Sequence, residues 1–290
     1  MGDLDGRTFL VTGANTGIGR AAAAALAARG GRVYLGCRSP ARGAAAVSQI
    51  RAVAGPGSAE LLPLDLADLD SVRACAAGFL ARGEPLHVLV NNAGVAGRRG
   101  LTRQGFELTF GINHLGHFAL TTALLDCLLA SAPSRVVTVS SDSHYSAPGI
   151  DWAALRRPAR GITGLREYAV SKLCNVLFTQ ELARRLAGSG VTAYAVHPGT
   201  VASDIWRRVP WPFRGLVTRR MLPTDDGAAP VVRCATAPEL AADSGRYYDR
   251  FAARDPSPVA TPSLAAELWR RSEAWVGGYL DQGGQHGLAR

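Results

Sequence analysis

Tyr168-Ala169-Val170-Ser171-Lys172 places a phenol and an ammonium four residues apart, on one face if the segment is helical. A phenol with a pKa of about 10 is a poor acid or base at neutral pH, but a neighbouring ammonium favours the phenolate and lowers that value. Lysine can also donate to a sugar hydroxyl, joining a ligand and an acid in one assembly. Ordinary helices carry such pairs by chance, so the spacing alone is weak. Composition sharpens it: 31 of the 32 basic residues are arginine, and Lys172 is the single lysine. A chain that uses arginine wherever charge suffices keeps lysine where a compact ammonium with a tunable pKa is required. Asparagine is scarce too, at Asn15, Asn91, Asn92, Asn113 and Asn175, and the first four fall in the segments singled out here.

Gly13, Gly17 and Gly19 form a G-x-x-x-G-x-G turn between a strand-like run and an alanine-rich helix. Glycine permits the tight turn and close backbone approach to a pyrophosphate, and the helix N-terminus offers unpaired N–H groups. At the end of the second strand in such folds, a carboxylate selects a ribose hydroxyl and an arginine accommodates a 2′-phosphate. Here that end reads Gly36-Cys37-Arg38-Ser39 with no acid, which favours NADP(H). Asp65, after the third strand, either accepts an adenine amino hydrogen or caps the next helix. Asn91-Asn92-Ala93-Gly94 follows the fourth strand, where small residues let backbone approach a cofactor or simply make a turn.

The elements needed to position these residues are legible as alternation. Strand-like runs fall at 8–12, 32–36, 59–64, 86–90, 135–140 and 191–196, with helical runs near 17–29, 40–53, 68–82, 106–131 and 167–187. All but the third strand suit burial on both faces, so the expected fold is α/β, a doubly wound parallel sheet flanked by helices. No linker interrupts it, and the 290 residues read as one domain. After residue 200 the texture turns rich in Trp, Pro and Arg, as in a mobile insertion over 201–223. A helix is expected from a Thr224 N-cap, a strand at 245–249, a helix at 263–276 and a frayed tail over 277–290.

Composition bounds the function. With 47% hydrophobic and 19% charged residues and mean hydropathy of +0.06, the chain is folded, not disordered. The net charge of +9 is scattered, which argues against nucleic-acid binding. Five cysteines without C-x-x-C spacing suggest neither a disulfide framework nor a metal site, and fit a reducing cytoplasm. No leader is visible, and the apolar run at 21–28 is far short of the roughly 18 residues of a membrane span.

TGANTGIG, NNAG, Asn113 within NHLGHF, Ser140-Ser141 after a strand, YAVSK and His197-Pro198-Gly199 occur in the order seen in short-chain dehydrogenases/reductases, which the chain resembles over about residues 5–250. NHLGHF, VSSDSH and SKLCNVLFTQELARRL are most similar to the retinol-dehydrogenase-like branch. The resemblance implies a Rossmann-type domain with a substrate-binding insertion after the sixth strand. It implies a hydride transferred between NADP(H) and a carbonyl or alcohol carbon of a lipophilic small molecule. Tyr168 would exchange a proton with the substrate oxygen, Lys172 would lower its pKa and hold the nicotinamide ribose, Ser141 would bond the same oxygen, and Asn113 would support a water relay to Lys172. Gly13, Asn15, Gly17, Ile18 and Gly19 would line the pyrophosphate, Arg38 the 2′-phosphate, Asp65 and Leu66 the adenine, and Asn92, Ala93 and Gly94 the inner ribose. Pro198, Gly199 and Val201 would border the carboxamide. The long stretch between Ser141 and Tyr168 would add a loop at 145–165 to the pocket.

The remaining readings are plainer. His114, His117 and His144 are expected to make structural hydrogen bonds, with no metal-ligand spacing among them. Trp206, Trp211 and Phe213 would form a lid or pack the insertion, and Arg207, Arg208, Arg214, Arg219 and Arg220 would be solvated or touch an anionic membrane. Helices near 106–131 and 167–187 could pair in a homodimer. Two alternatives stand: a tailoring ketoreductase of a secondary-metabolite pathway, and an NADP-binding regulator or scaffold that recruits a partner.

Overall fold

In the computed structural model, residues 2–55, 58–161, 163–201 and 222–280 are described. The lid aromatics, the arginines of 207–220 and the tail beyond residue 280 therefore lie outside the described residues.

One sheet of eight strands has the order β3-β2-β1-β4-β5-β6-β7-β8. Its strands are β1 (Thr8–Thr12), β2 (Arg32–Cys37), β3 (Ala59–Pro63), β4 (Val88–Asn91), β5 (Ser134–Val139), β6 (Val191–His197), β7 (Tyr247–Asp249) and β8 (Ala252–Arg254). All neighbours pair in parallel except β7 and β8. The order reverses between β1 and β4, the switch point at which open α/β sheets bind ligands beyond the carboxyl ends of their strands. β1 is buried along its whole length, and alternation sends Leu10 to one core and Phe9 and Val11 to the other. β3, the strand whose pattern was mixed, lies at the sheet edge and is only partly buried.

The helices are α1 (Gly17–Ala28), α2 (Pro40–Ala54), α3 (Leu69–Leu80), α4 (Leu108–Phe110), α5 (Gly116–Ala123), α6 (Leu125–Ala130), α7 (Leu165–Arg185), α8 (Thr224–Thr236) and α9 (Pro262–Leu280). Two cores divide them: residues of α1, α2 and α8 fill one face of the sheet, and residues of α3, α5, α7 and α9 the other. Each fully buried aliphatic side chain contributes about 1.5–3 kcal/mol, so these two layers fix where the strand ends lie.

Several expected boundaries change. The helix expected over 106–131 is broken: a π turn at Gly111–Leu115, closed by the Gly116 N–H on the Gly111 carbonyl, separates α4 from α5. Thr224 is the first residue of α8, whose cap position is Pro223. α9 continues to Leu280, so residues 277–280 are helical and not frayed. β8, short and exposed, was not expected. Among the described residues no helix is long and apolar enough to cross a membrane, and no cluster of His, Cys, Asp and Glu could hold a metal.

Candidate active site

A cleft of about 490 Å³ opens at the carboxyl edge of the sheet, where the ends of β1, β2, β4, β5 and β6 meet α7. Its floor begins at the glycine turn. Gly13 and Gly17 have φ of +67° and +56°, a region that favours glycine. A Cβ on Gly13 would lie 3.0 Å from Ala93 Cα, and one on Gly19 would lie 2.3 Å from Asn92 Nδ2 and 2.7 Å from the Gly13 carbonyl. The glycines are thus required by the approach of the 92–94 turn to the turn after β1. Thr12 joins the two: its Oγ1 accepts from the N–H groups of Asn92 and Ala93, both at 2.9 Å. With two donors already upon it, the Thr12 hydroxyl gives its hydrogen to His117 Nε2, 2.8 Å away. The His117 proton then resides on Nδ1, which donates to the Asn113 carbonyl at 3.0 Å.

No acid occupies the first turn of α1, and no side-chain cap closes its N-terminus. Arg38 and Arg42 line the adjacent wall with no ion pair between them and any described residue. The N-terminal dipole, the glycine cradle and the cations together fit a phosphorylated dinucleotide. Asp65 also lines the cleft, its Oδ1 accepting from the Ala67 N–H at 3.0 Å, while Asp68 caps α3.

At the other end, Ser141, Tyr168 and Lys172 face one another across the cleft. Ser140, Ser141 and Ser143 all line the cleft, but the Ser140 hydroxyl donates to the Lys172 carbonyl at 2.9 Å, and it is Ser141 that hydrogen-bonds Tyr168. Lys172 Nζ lies 5.5 Å from the Tyr168 ring centroid and donates to the Val139 carbonyl at 2.9 Å. Geometry joins the pair as the spacing predicts, but the electrostatics differ. Burial without a carboxylate partner pushes Lys172 down to about 7. Burial likewise pushes Tyr168 up to about 12, against the lowering effect of a hydrogen bond from Ser141 and with a further raise from Asp142. Desolvation therefore outweighs the expected acidification by Lys172, since an ammonium that has lost much of its charge cannot stabilise a phenolate.

Every expected site residue lies on this wall except Asn113, which sits fully buried behind it. Its side chain is already engaged: Oδ1 accepts from the Val95 N–H at 2.8 Å, and Nδ2 donates to the Val95 carbonyl and to Ser171 Oγ at 3.0 and 2.9 Å. It is thus a brace between the 92–95 turn and α7. Of the loop 145–165, Leu165 is the one described residue on the wall; Leu155, Arg156 and Ala159 meet the 99–107 segment, where the Leu155 carbonyl accepts from the Glu107 N–H, while Tyr145 packs on Tyr247 and Trp152 on Trp275. The three histidines make the structural bonds expected of them, His114 to Ser272, His117 as above and His144 to the Ser141 carbonyl.

Sequence reasoning missed Arg42, Arg98, Asp142 and His197, all on the wall. The signals were adjacency to Ser141 for Asp142 and to Pro198 for His197, and four-residue spacing from Arg38 for Arg42.

Comparison with known proteins agrees with this geometry. Residues 7–154 match the family model described as short chain dehydrogenase. The chain is 44% identical to human retinol dehydrogenase 12 over 93% of its length and 86% of that protein's, and 44% identical to human dehydrogenase/reductase SDR family member 13 over 96% and 75%. Among solved structures, an uncharacterised protein of Mycobacterium paratuberculosis aligns with a TM-score of 0.73 at 35% identity, over 96% of this chain and 98% of that one. A short chain dehydrogenase from Burkholderia cenocepacia in complex with NADP aligns with a TM-score of 0.68 at 28% identity, over 85% and 96%. The chain belongs to the short-chain dehydrogenase/reductase family of oxidoreductases, in its retinol-dehydrogenase-like branch.

Proposed function

We propose that this protein is an NADP(H)-dependent oxidoreductase acting on a carbonyl or alcohol carbon of a lipophilic small molecule. The observation that carries the reading is the convergence of Ser141, Tyr168 and Lys172 at one end of a cleft whose other end is a glycine cradle flanked by Arg38. When bound, NADP(H) supplies or accepts a hydride at nicotinamide C4. The chain supplies alignment and a proton. In reduction the Tyr168 O–H breaks and its proton passes to the substrate oxygen; in oxidation the phenolate takes it back. A phenol near 12 rests protonated, which suits the reductive direction. Ser141 bonds the reacting oxygen, and Lys172 holds the nicotinamide ribose. Gly13, Asn15, Gly17, Ile18 and Gly19 receive the pyrophosphate and Arg38 the 2′-phosphate. Asp65 and Leu66 border the adenine, Asn92, Ala93 and Gly94 the inner ribose, and Pro198, Gly199 and Val201 the carboxamide. The relatives named retinol dehydrogenases and the neighbour that holds NADP support the substrate class and the cofactor.

The test is a panel of retinal, aliphatic aldehydes, steroids and aromatic ketones, run with NADPH and separately with NADH while reduced nicotinamide absorbance is followed. NADPH-dependent turnover of a panel member is expected, and Tyr168→Phe should lower it by about 10²–10⁴-fold while leaving cofactor binding in place. Tight cofactor binding with no turnover would favour the regulator, and a wild-type rate in the variant would remove Tyr168 from its role.

A further inference from the structure

His117 makes the hydrogen bonds of a structural histidine, but its two partners belong to opposite ends of the candidate site. It lies in the first turn of α5 and is 1% exposed, so neither ring nitrogen can turn to water instead. Its Nε2 faces Thr12 Oγ1 at 2.8 Å, and its Nδ1 faces the Asn113 carbonyl at 3.0 Å. Only one protonation state satisfies both contacts. A carbonyl can only accept, so Nδ1 carries the hydrogen. The Thr12 hydroxyl has two acceptor positions, both taken by the Asn92 and Ala93 N–H groups, so it donates and Nε2 accepts. Burial, which pushes the imidazole down to about 4, keeps that neutral form at neutral pH.

Each of the two bonds continues in its own direction. On the Nε2 side, Thr12 carries the 92–93 turn and directly precedes Gly13 of the glycine cradle. Without Nε2, the Thr12 hydroxyl hydrogen is left with the Val90 carbonyl at 3.4 Å, a poor bond. On the Nδ1 side, the bond holds the main chain of the π turn at Asn113, whose side chain grips Val95 and donates to Ser171 Oγ at 2.9 Å. Ser171 in turn donates to the Tyr168 carbonyl at 2.8 Å. We propose that His117 is a positioning residue that couples the two ends of the site: its Nε2 sets the turn after β1 for the cofactor, and its Nδ1–H sets Tyr168 through Asn113 and Ser171. The inference rests on the oxidoreductase reading and deepens it. His117 lies behind the cleft wall and takes no part in the chemistry itself.

Two substitutions take the bonds apart, because an asparagine amide reaches the place of Nδ1 and a glutamine amide the place of Nε2. His117→Asn keeps a donor for the Asn113 carbonyl and strands Thr12; His117→Gln keeps an acceptor for Thr12 and releases Asn113. NADPH affinity is measured by fluorescence titration, and the single-turnover rate at saturating NADPH with the panel carbonyl turned over fastest. H117N is expected to weaken NADPH binding by about two- to tenfold, the range of one neutral hydrogen bond, with a smaller loss of rate. H117Q should show the reverse, its rate falling further than its affinity, by up to about 10²-fold, as a misplacement of about 1 Å can cost. Nitrogen NMR of the cofactor-free wild type, which needs no variant, should show His117 protonated on Nδ1 and bare on Nε2 at neutral pH. Equal losses of affinity and rate in both variants, as a packing defect gives, or a proton on Nε2, overturn the proposal while wild-type turnover upholds the functional reading. Absence of wild-type turnover with every panel member overturns both.

Discussion

The charge that the proposed reaction asks of Lys172 meets an environment that opposes it, for the side chain is 2% exposed and donates to the Val139 carbonyl. Because its pKa falls from 10.5 to about 7 on folding, the folded state is disfavoured most below pH 7, where both states would carry the proton. The penalty fades as pH rises from 7 to 10.5, where the unfolded chain also releases it. Lys172→Met is therefore expected to raise the melting temperature at pH 6–7, with the gain shrinking toward pH 10, while turnover is lost; an unchanged melting temperature at pH 6 would contradict it. The place of this residue on the cleft wall beside Tyr168 was legible because a chain of arginines keeps one lysine, four residues from a tyrosine. The high pKa of Tyr168 was not, since spacing reports who is near and not how much water has been removed. Asp142 was illegible for a related reason: its place on the cleft wall exists only once residues 142–146 are wound into a turn.

The strands, the glycine turn and most helices could be read from alternation and punctuation, because each buries a face of characteristic period. The break at Gly111–Leu115 could not, as a π turn carries no composition of its own, yet it seats Asn113 against Val95 and Ser171. The edge strand β8 escaped because its three residues are exposed and show no apolar alternation. Gly19 shows the two kinds of information in conflict. It lies inside α1, where alanine is preferred by about 1 kcal/mol. The added methyl would meet Asn92 Nδ2 and the Gly13 main chain, displacing the bond from Asn92 Nδ2 to the Thr12 carbonyl. Overpacking of this sort costs about 1–3 kcal/mol, so Gly19→Ala is expected to lower both unfolding free energy and NADPH affinity, read by denaturant melts and fluorescence titration. A more stable variant with unchanged affinity would show that the turn can yield.

At the level of the whole molecule, α9 covers the helices that were expected to pair between two copies. It lies along α7 and touches α3 and α5. Trp269 stacks on Phe178 at 5.9 Å and meets Phe118 edge-on at 4.9 Å, and Arg185 lies over its ring. Trp275 packs on Phe106 and Phe110, and Ser272 meets His114 at 3.0 Å. The face is thus filled from within the chain. Trp269→Ala should cost about 3–5 kcal/mol of stability in denaturant melts. Cross-linking of the wild type should find no contact between copies through α5 and α7, and a dimer mapped to that face would show that α9 can be displaced. The same arrangement has a consequence during synthesis. Residues 262–280 leave the ribosome after the rest of the core they complete, so until then the aromatic floor of Phe118 and Phe178 stays wet and open to unwanted partners. A nascent protein of this design cannot close its larger core before α9 has emerged.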